Sequence, residues 1–153
     1  MLIKIHKKKG FTLLELIIVI AIIAILSAIG APTFSSYMAT RRLNGAARQV
    51  QSDLFAARMR AISDNKLVAV SFINNNQYTI FFDNNNNGSI DSGETIVTKS
   101  IHPTYHDVTI SAVSSYQPKF YSKGTSNNGR ITFTGSTGTK EIVVNPVGRA
   151  KIN

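Results

Sequence analysis

The residues best equipped for chemistry stand together between Asp83 and Glu94, in the run Asp83-Asn84-Asn85-Asn86-Asn87-Gly88-Ser89-Ile90-Asp91-Ser92-Gly93-Glu94. Calcium is a hard cation that takes oxygen ligands, and a twelve-residue loop can supply them at alternate positions, turning sharply at a glycine and closing with a bidentate glutamate. Every specified position is filled here. Asp83, Asn85 and Asn87 offer side-chain oxygens, Ser89 its backbone carbonyl, Asp91 a direct or water-mediated contact and Glu94 the closing carboxylate, with Gly88 at the turn. Ile90 stands where such loops place an apolar anchor. The pattern predicts calcium as a ligand, with weak affinity of roughly 10⁻⁴–10⁻³ M as in extracellular modules. Tyr78 to Phe82 and Thr95 onward read as strands, so this would be a calcium loop without flanking helices. An asparagine-rich hairpin turn is the alternative, because Asn and Gly accept positive φ readily.

No enzyme site has a comparable signature. His102 and His106 are separated by Pro103, which argues against one helical face, and no third ligand follows at a characteristic spacing. They read as a polar loop. His106-Asp107 and the many serines lack a nucleophile elbow, and no glycine loop suited to phosphate is present. The chain has no cysteine, which excludes disulfides and thiolate chemistry.

The elements carrying these residues begin with an apolar run from Phe11 to Ala31 whose only charged member is Glu15. As a helix it would be about 31 Å long, the thickness of a hydrocarbon core. Lys4, Lys7, Lys8 and Lys9 precede it and predict a cytoplasmic N-terminus with the remainder exported. Without those four lysines the formal charge falls from +9 to +5, thirteen basic residues against eight acidic ones. Such a balance suits nucleic acid, anionic membrane or an inert surface alike. A plain signal anchor and a signal peptide cut near Ser27-Ala28-Ile29-Gly30-Ala31 are alternatives, but neither explains Glu15. A carboxylate inside a span costs on the order of 2.5–3.5 kcal/mol and calls for a partner.

The string Gly10-Phe11-Thr12-Leu13-Leu14-Glu15, with basic residues before it and an apolar run to Pro32 after it, resembles the class III signal of type IV pilins and pseudopilins. The resemblance implies cleavage between Gly10 and Phe11 by a prepilin peptidase, methylation of the new Phe11 amine, and pairing of Glu15 with the N-terminal amine of a neighbouring subunit. Pro32, with Gly30 before it, is expected to bend the stem.

Beyond Pro32, Leu43, Ala47, Val50, Leu54, Ala57 and Ala61 form one amphipathic stripe. Arg41, Arg48 and Arg58 fall off it and read as a solvated face. After Asn65 the period changes to short runs parted by Asn, Gly and Ser. Strands are expected at Leu67 to Phe72, Gln77 to Phe82, Glu94 to Ser100, Val108 to Ala112, Pro118 to Tyr121, Arg130 to Thr134, Glu141 to Asn145 and Arg149 to Ile152. The predicted fold is α+β: a long N-terminal transmembrane and amphipathic helix packed against a small antiparallel β-sheet head. The predicted organisation is a leader over 1–10, a membrane part over 11–31, an amphipathic stem over 32–65 and a periplasmic head over 66–153.

The stretch Leu54 to Ile62 with Asn65 and Leu67-Val68-Ala69-Val70, and the closing segment from Phe120 to Arg149, resemble the GspH/FimT group of minor pseudopilins and minor pilins. The missing cysteine pair also favours a minor over a major subunit. The resemblance implies a structural assembly protein, single-pass in the bacterial inner membrane, with other pilins or pseudopilins as partners. A FimT-like DNA-binding subunit is the alternative, and a membrane-anchored enzyme is a third. In the DNA-binding relatives a closing Gly-Arg-x-Arg motif is associated with that activity; here it reads Gly148-Arg149-Ala150-Lys151, with Lys123, Arg130 and Lys140 able to extend a basic edge. The alternative there is a turn at Gly148 and two solubilising cations.

Overall fold

A computed structural model describes residues 10–111 and 116–153. The leader as far as Lys9, and Ala112 at the end of one expected strand, lie outside the described residues. One helix, α1 (Leu13–Ser63), runs through Pro32 without interruption. Contacts divide the chain into two compact units, one ending at Tyr37 and one beginning at Met38.

In the first unit every helical residue is exposed, although nearly all are apolar. This stretch of α1 is long and apolar enough to cross a membrane by length and composition. The helix begins with a reciprocal cap. The Thr12 hydroxyl accepts from the Glu15 amide at 3.2 Å, while the Glu15 carboxylate accepts from the Thr12 amide at 2.9 Å and the Thr12 hydroxyl at 3.0 Å. Such a box satisfies donors that the first turn cannot pair internally. At Pro32, which has no amide hydrogen to give, the Thr33 hydroxyl donates to the Ile29 carbonyl at 3.3 Å.

In the second unit, α1 buries the expected stripe and adds Ala39, Ala46 and Asp53 to it. The helix stops because Asn65 turns left-handed at φ 51° and the Lys66 amide reaches back to the Ala61 carbonyl at 3.2 Å. The chain then enters β1 (Leu67–Asn74), β2 (Gln77–Asp83), β3 (Ile96–Ser100), β4 (Thr109–Ile110), β5 (Lys119–Phe120), β6 (Gly129–Gly135), β7 (Gly138–Val144) and β8 (Ala150–Ile152). All eight expected strands are present, with moved ends. They form two antiparallel four-stranded sheets, ordered β3-β2-β1-β5 and β4-β6-β7-β8, where the sequence suggested one. The division arises because β5 returns to β1, pairing Phe120 with Val68, whereas β6 starts a separate meander. The expected third strand loses Glu94 and Thr95, since the Glu94 carboxylate turns back into the preceding loop.

Side chains from both sheets, among them Val68, Tyr78, Phe120, Ile131, Phe133 and Ile142, close over the helix stripe in one core. Polar ties fix α1 within it. Tyr78 Oη donates to Asp53 Oδ2 and Lys99 Nζ to Asp53 Oδ1, joining the helix to β2 and β3. Burial, and then the Asp53 carboxylate, push the Tyr78 phenol well above its ordinary range. Arg42 clasps Asp107 with two bonds of 2.6 and 2.8 Å, and this guanidinium holds the Asp107 carboxyl below the usual carboxylate range. Asp107 is thereby a structural joint, and His102 contacts the Val108 carbonyl at 3.2 Å.

Candidate functional site

Three places carry the residues singled out by the sequence. The first is the start of α1. Gly10 and Phe11 are exposed and precede the cap, and Glu15 sits at its third helical position with its carboxylate on Thr12. Thr12 had no role of its own in the sequence reading, although the Thr-x-x-Glu spacing ahead of an apolar run carries the signal for this cap.

The second place is the loop between β2 and β3. Asp83 is buried at its root and accepts from the amides of Asn87 at 3.1 Å and Gly88 at 2.7 Å. Asn85 Oδ1 accepts from the Asn87 amide at 3.1 Å, and Asn87 Oδ1 from the Ser89 amide at 2.6 Å. The side-chain amides of Asn85 and Asn87 both donate to Asp91 Oδ2, at 2.6 and 2.7 Å. Glu94 closes the ring by accepting from the amides of Asn84 and Asp91 at 2.9 and 3.1 Å. Side chains at five of the six expected ligand positions are therefore linked in one network, and Gly88 has the left-handed φ of 79° that the turn needs. Among the described residues no three His, Cys, Asp or Glu side chains gather as a metal cluster, so a cation here would depend on the asparagine oxygens. The loop is docked on the first sheet. Gln117 Nε2 donates to the Gly88 carbonyl at 2.9 Å, and the Lys119 ammonium lies against Gly88, a positive charge that opposes a cation.

The third place is the closing segment. Asn145-Pro146-Val147-Gly148 makes a turn closed by Gly148 N to Asn145 O at 2.9 Å, and the Arg149 amide donates to Asn145 Oδ1 at 2.8 Å. A side chain at Gly148, φ 79°, would run into the Gly124 carbonyl and the Arg58 guanidinium. Register aligns Arg130, Val143 and Lys151 across β6, β7 and β8 on the face opposite the row of buried Ile131 and Ile142 and half-buried Ile152. Arg149 flanks β8, and Arg130 pairs with Glu141 at 3.3 Å. Lys140 lies opposite Phe133, on the other face, and Lys123 sits in the exposed turn after β5. The five cations thus do not make one edge.

The stem arginines need correction. Arg58 is not simply solvated: its Nε donates to the Gly124 carbonyl at 2.8 Å. Arg48, Arg58 and Arg149 line a cleft of about 600 Å³ between α1 and the closing turn, with Phe55 and Val147 as apolar walls and no acidic residue in the lining. Nothing local in the sequence joins residues so far apart.

Comparison with known proteins follows the same division. The family model described as type II transport protein GspH matches residues 46–148, and the prokaryotic N-terminal methylation motif matches residues 5–31. A fimbrial protein of Pseudomonas aeruginosa is 37% identical over 75 residues, 49% of this chain and 49% of that protein. The chain therefore matches about half the length of this curated relative. Among solved structures, the type IV minor pilin FimU of P. aeruginosa aligns with a TM-score of 0.57 at 15% identity, over 76% of this chain and 92% of that one. The minor pseudopilin EpsH of the Vibrio cholerae type 2 secretion system aligns with a TM-score of 0.54 at 9% identity, over 73% and 96%. At these identities the structural likeness is one of fold.

Proposed function

The chain belongs to the GspH family of minor pilins and pseudopilins, assembly proteins rather than enzymes, and from this we propose a single-pass inner-membrane subunit of a type II secretion pseudopilus or type IV pilus. The observation that carries this reading is the exposed, mostly apolar surface of the described part of the first unit, whose only charged residue is Glu15 just beyond Gly10-Phe11. An exposed surface of that size needs lipid or other stems around it. A prepilin peptidase would cut after Gly10, and the stem would pass from membrane to filament with Glu15 meeting a neighbour's amine. The expected mature protein begins at Phe11 and is one methyl group heavier than the bare sequence. Intact-mass analysis that finds a cut near Ala31, or none, sinks the reading.

We also propose calcium as a structural ion of the loop, held by Asp83, Asn85, Asn87, Ser89, Asp91 and Glu94. The complete ligand pattern and the linked side chains support it; Lys119 argues for weak affinity. A cation would relieve Asp91 of its dependence on two amide donors. Full-length protein in nonionic detergent should gain about 1.4–2.7 kcal/mol when calcium exceeds the dissociation constant by roughly ten- to a hundredfold. Glu94→Ala should remove the gain. A melting curve unmoved by calcium at about ten times the weakest affinity expected, roughly 10 mM, leaves an asparagine turn.

The alternative reading, DNA capture, is favoured by one observation, the shared outer face of Arg130 and Lys151 with Arg149 beside it. Binding of this kind would be directed to the phosphate backbone and would weaken as salt rises. Replacing Arg149 and Lys151 by alanine should flatten that salt slope by about two contacts at most. An unaltered slope removes these residues from the interface.

A further inference from the structure

We propose that the cleft formed by Arg48, Phe55, Arg58, Val147 and Arg149 receives a segment of another filament subunit in which a carboxylate stands beside an apolar side chain. This deepens the filament reading and rests on it. Three guanidinium-bearing residues share the cleft and no acid lines it, so its charge is uncompensated within its own walls. Between them lie Phe55, 59% exposed, and Val147, 68% exposed. Met59 and Ile62 continue the apolar surface along α1 at spacings of four and three, the same helical face.

The composition selects the class of partner. A phosphate backbone is satisfied by cations spread along its track. Here apolar side chains separate the cations, and exposed aromatic residues with arginine are the mark of a protein interface core. Guanidinium matches a carboxylate in bidentate geometry, which fixes orientation as well as charge. Arg58 is partly held in advance, since its Nε already bonds the Gly124 carbonyl, so less side-chain freedom is lost on docking. The opposite stripe of the helix is buried in the head, which makes this the face of α1 left for a neighbour.

The test uses full-length protein in nonionic detergent and three fluorescent probes: a short peptide alternating glutamate with leucine and phenylalanine, the same peptide with lysine for glutamate, and a single-stranded oligonucleotide. The glutamate peptide should bind at low salt, and the lysine peptide should not. Arg149→Glu and Arg48→Glu should each weaken the glutamate peptide about tenfold, and Phe55→Ser should weaken it several-fold. Glutamate-peptide binding indifferent to all three substitutions, or equal binding of both peptides, overturns the proposal. So does oligonucleotide binding sensitive to them when the glutamate peptide fails. In cells, a photo-crosslinker replacing Phe55 should yield an adduct on an acidic peptide of another pilin-like subunit, and an adduct confined to nucleic acid counts against it. Cleavage after Gly10, read by mass, reports the filament reading separately from the cleft.

Discussion

Glu15→Ala should reach the membrane as well as the native chain and be missing from filaments. Insertion is favoured by the substitution, because removing a carboxylate from the span relieves a cost on the order of 2.5–3.5 kcal/mol. The substitution also deletes the bonds from Glu15 to Thr12, but losing a cap costs about 1 kcal/mol and frays only the first turn. Assembly is different. In the proposed filament, a neighbour's buried amine left without its carboxylate would lose about 3–5 kcal/mol, a reduction of more than a hundredfold in incorporation. Glu15→Gln separates the two roles of the side chain. Glutamine still serves a capping box, but it carries no charge. Both variants should be present in membrane fractions and absent from sheared filaments; filaments containing the glutamine variant would mean that the cap, not the charge, is what assembly needs.

Asp53→Ala should destabilise the second unit by breaking the polar tie between α1 and the first sheet. It deletes the acceptor shared by Tyr78 and Lys99 and leaves the fully buried Tyr78 O–H without the carboxylate it donates to, beside the Gln49 side-chain amide, which acts on it as a donor. An unpaired buried hydroxyl costs about 1–3 kcal/mol. The ion pair adds less than a fully buried one, since Lys99 is 39% exposed and can turn to water. A loss of about 2–4 kcal/mol is expected in denaturant titrations of the full chain. Tyr78→Phe removes one bond and leaves Lys99 in place, so about 1 kcal/mol is expected. A head indifferent to Asp53→Ala would mean that the helix is held by its apolar stripe alone.

The stripe itself was legible. Leu43, Ala47, Val50, Leu54, Ala57 and Ala61 are all buried, because a fixed period of 3.6 is a property of neighbours in sequence. The strands were legible for the same reason. Their division into two sheets was not, since it depends on β5 returning about fifty residues to meet β1. Asp53 looks like any polar residue of a helix until Tyr78 and Lys99 are brought to it from other strands. The calcium pattern was readable position by position, but Lys119, from a strand beyond the loop, was not. Arg58 was misread because its partner, the Gly124 carbonyl, is backbone and leaves no trace in residue type.

The pairing order of the first sheet also bears on when the head can fold. β1, β2 and β3 are joined as successive hairpins, so they can zip together as soon as residues 67–100 are available. β5 arrives later, after the segment that contributes β4, and until then the outer edge of β1 offers unpaired amides and carbonyls to any passing strand. A chain whose head is translocated in N-to-C order, as the proposed topology requires, would therefore pass through an interval in which β1 to β3 can pair while one edge stays open. The pairing of Phe120 with Val68 would close that edge.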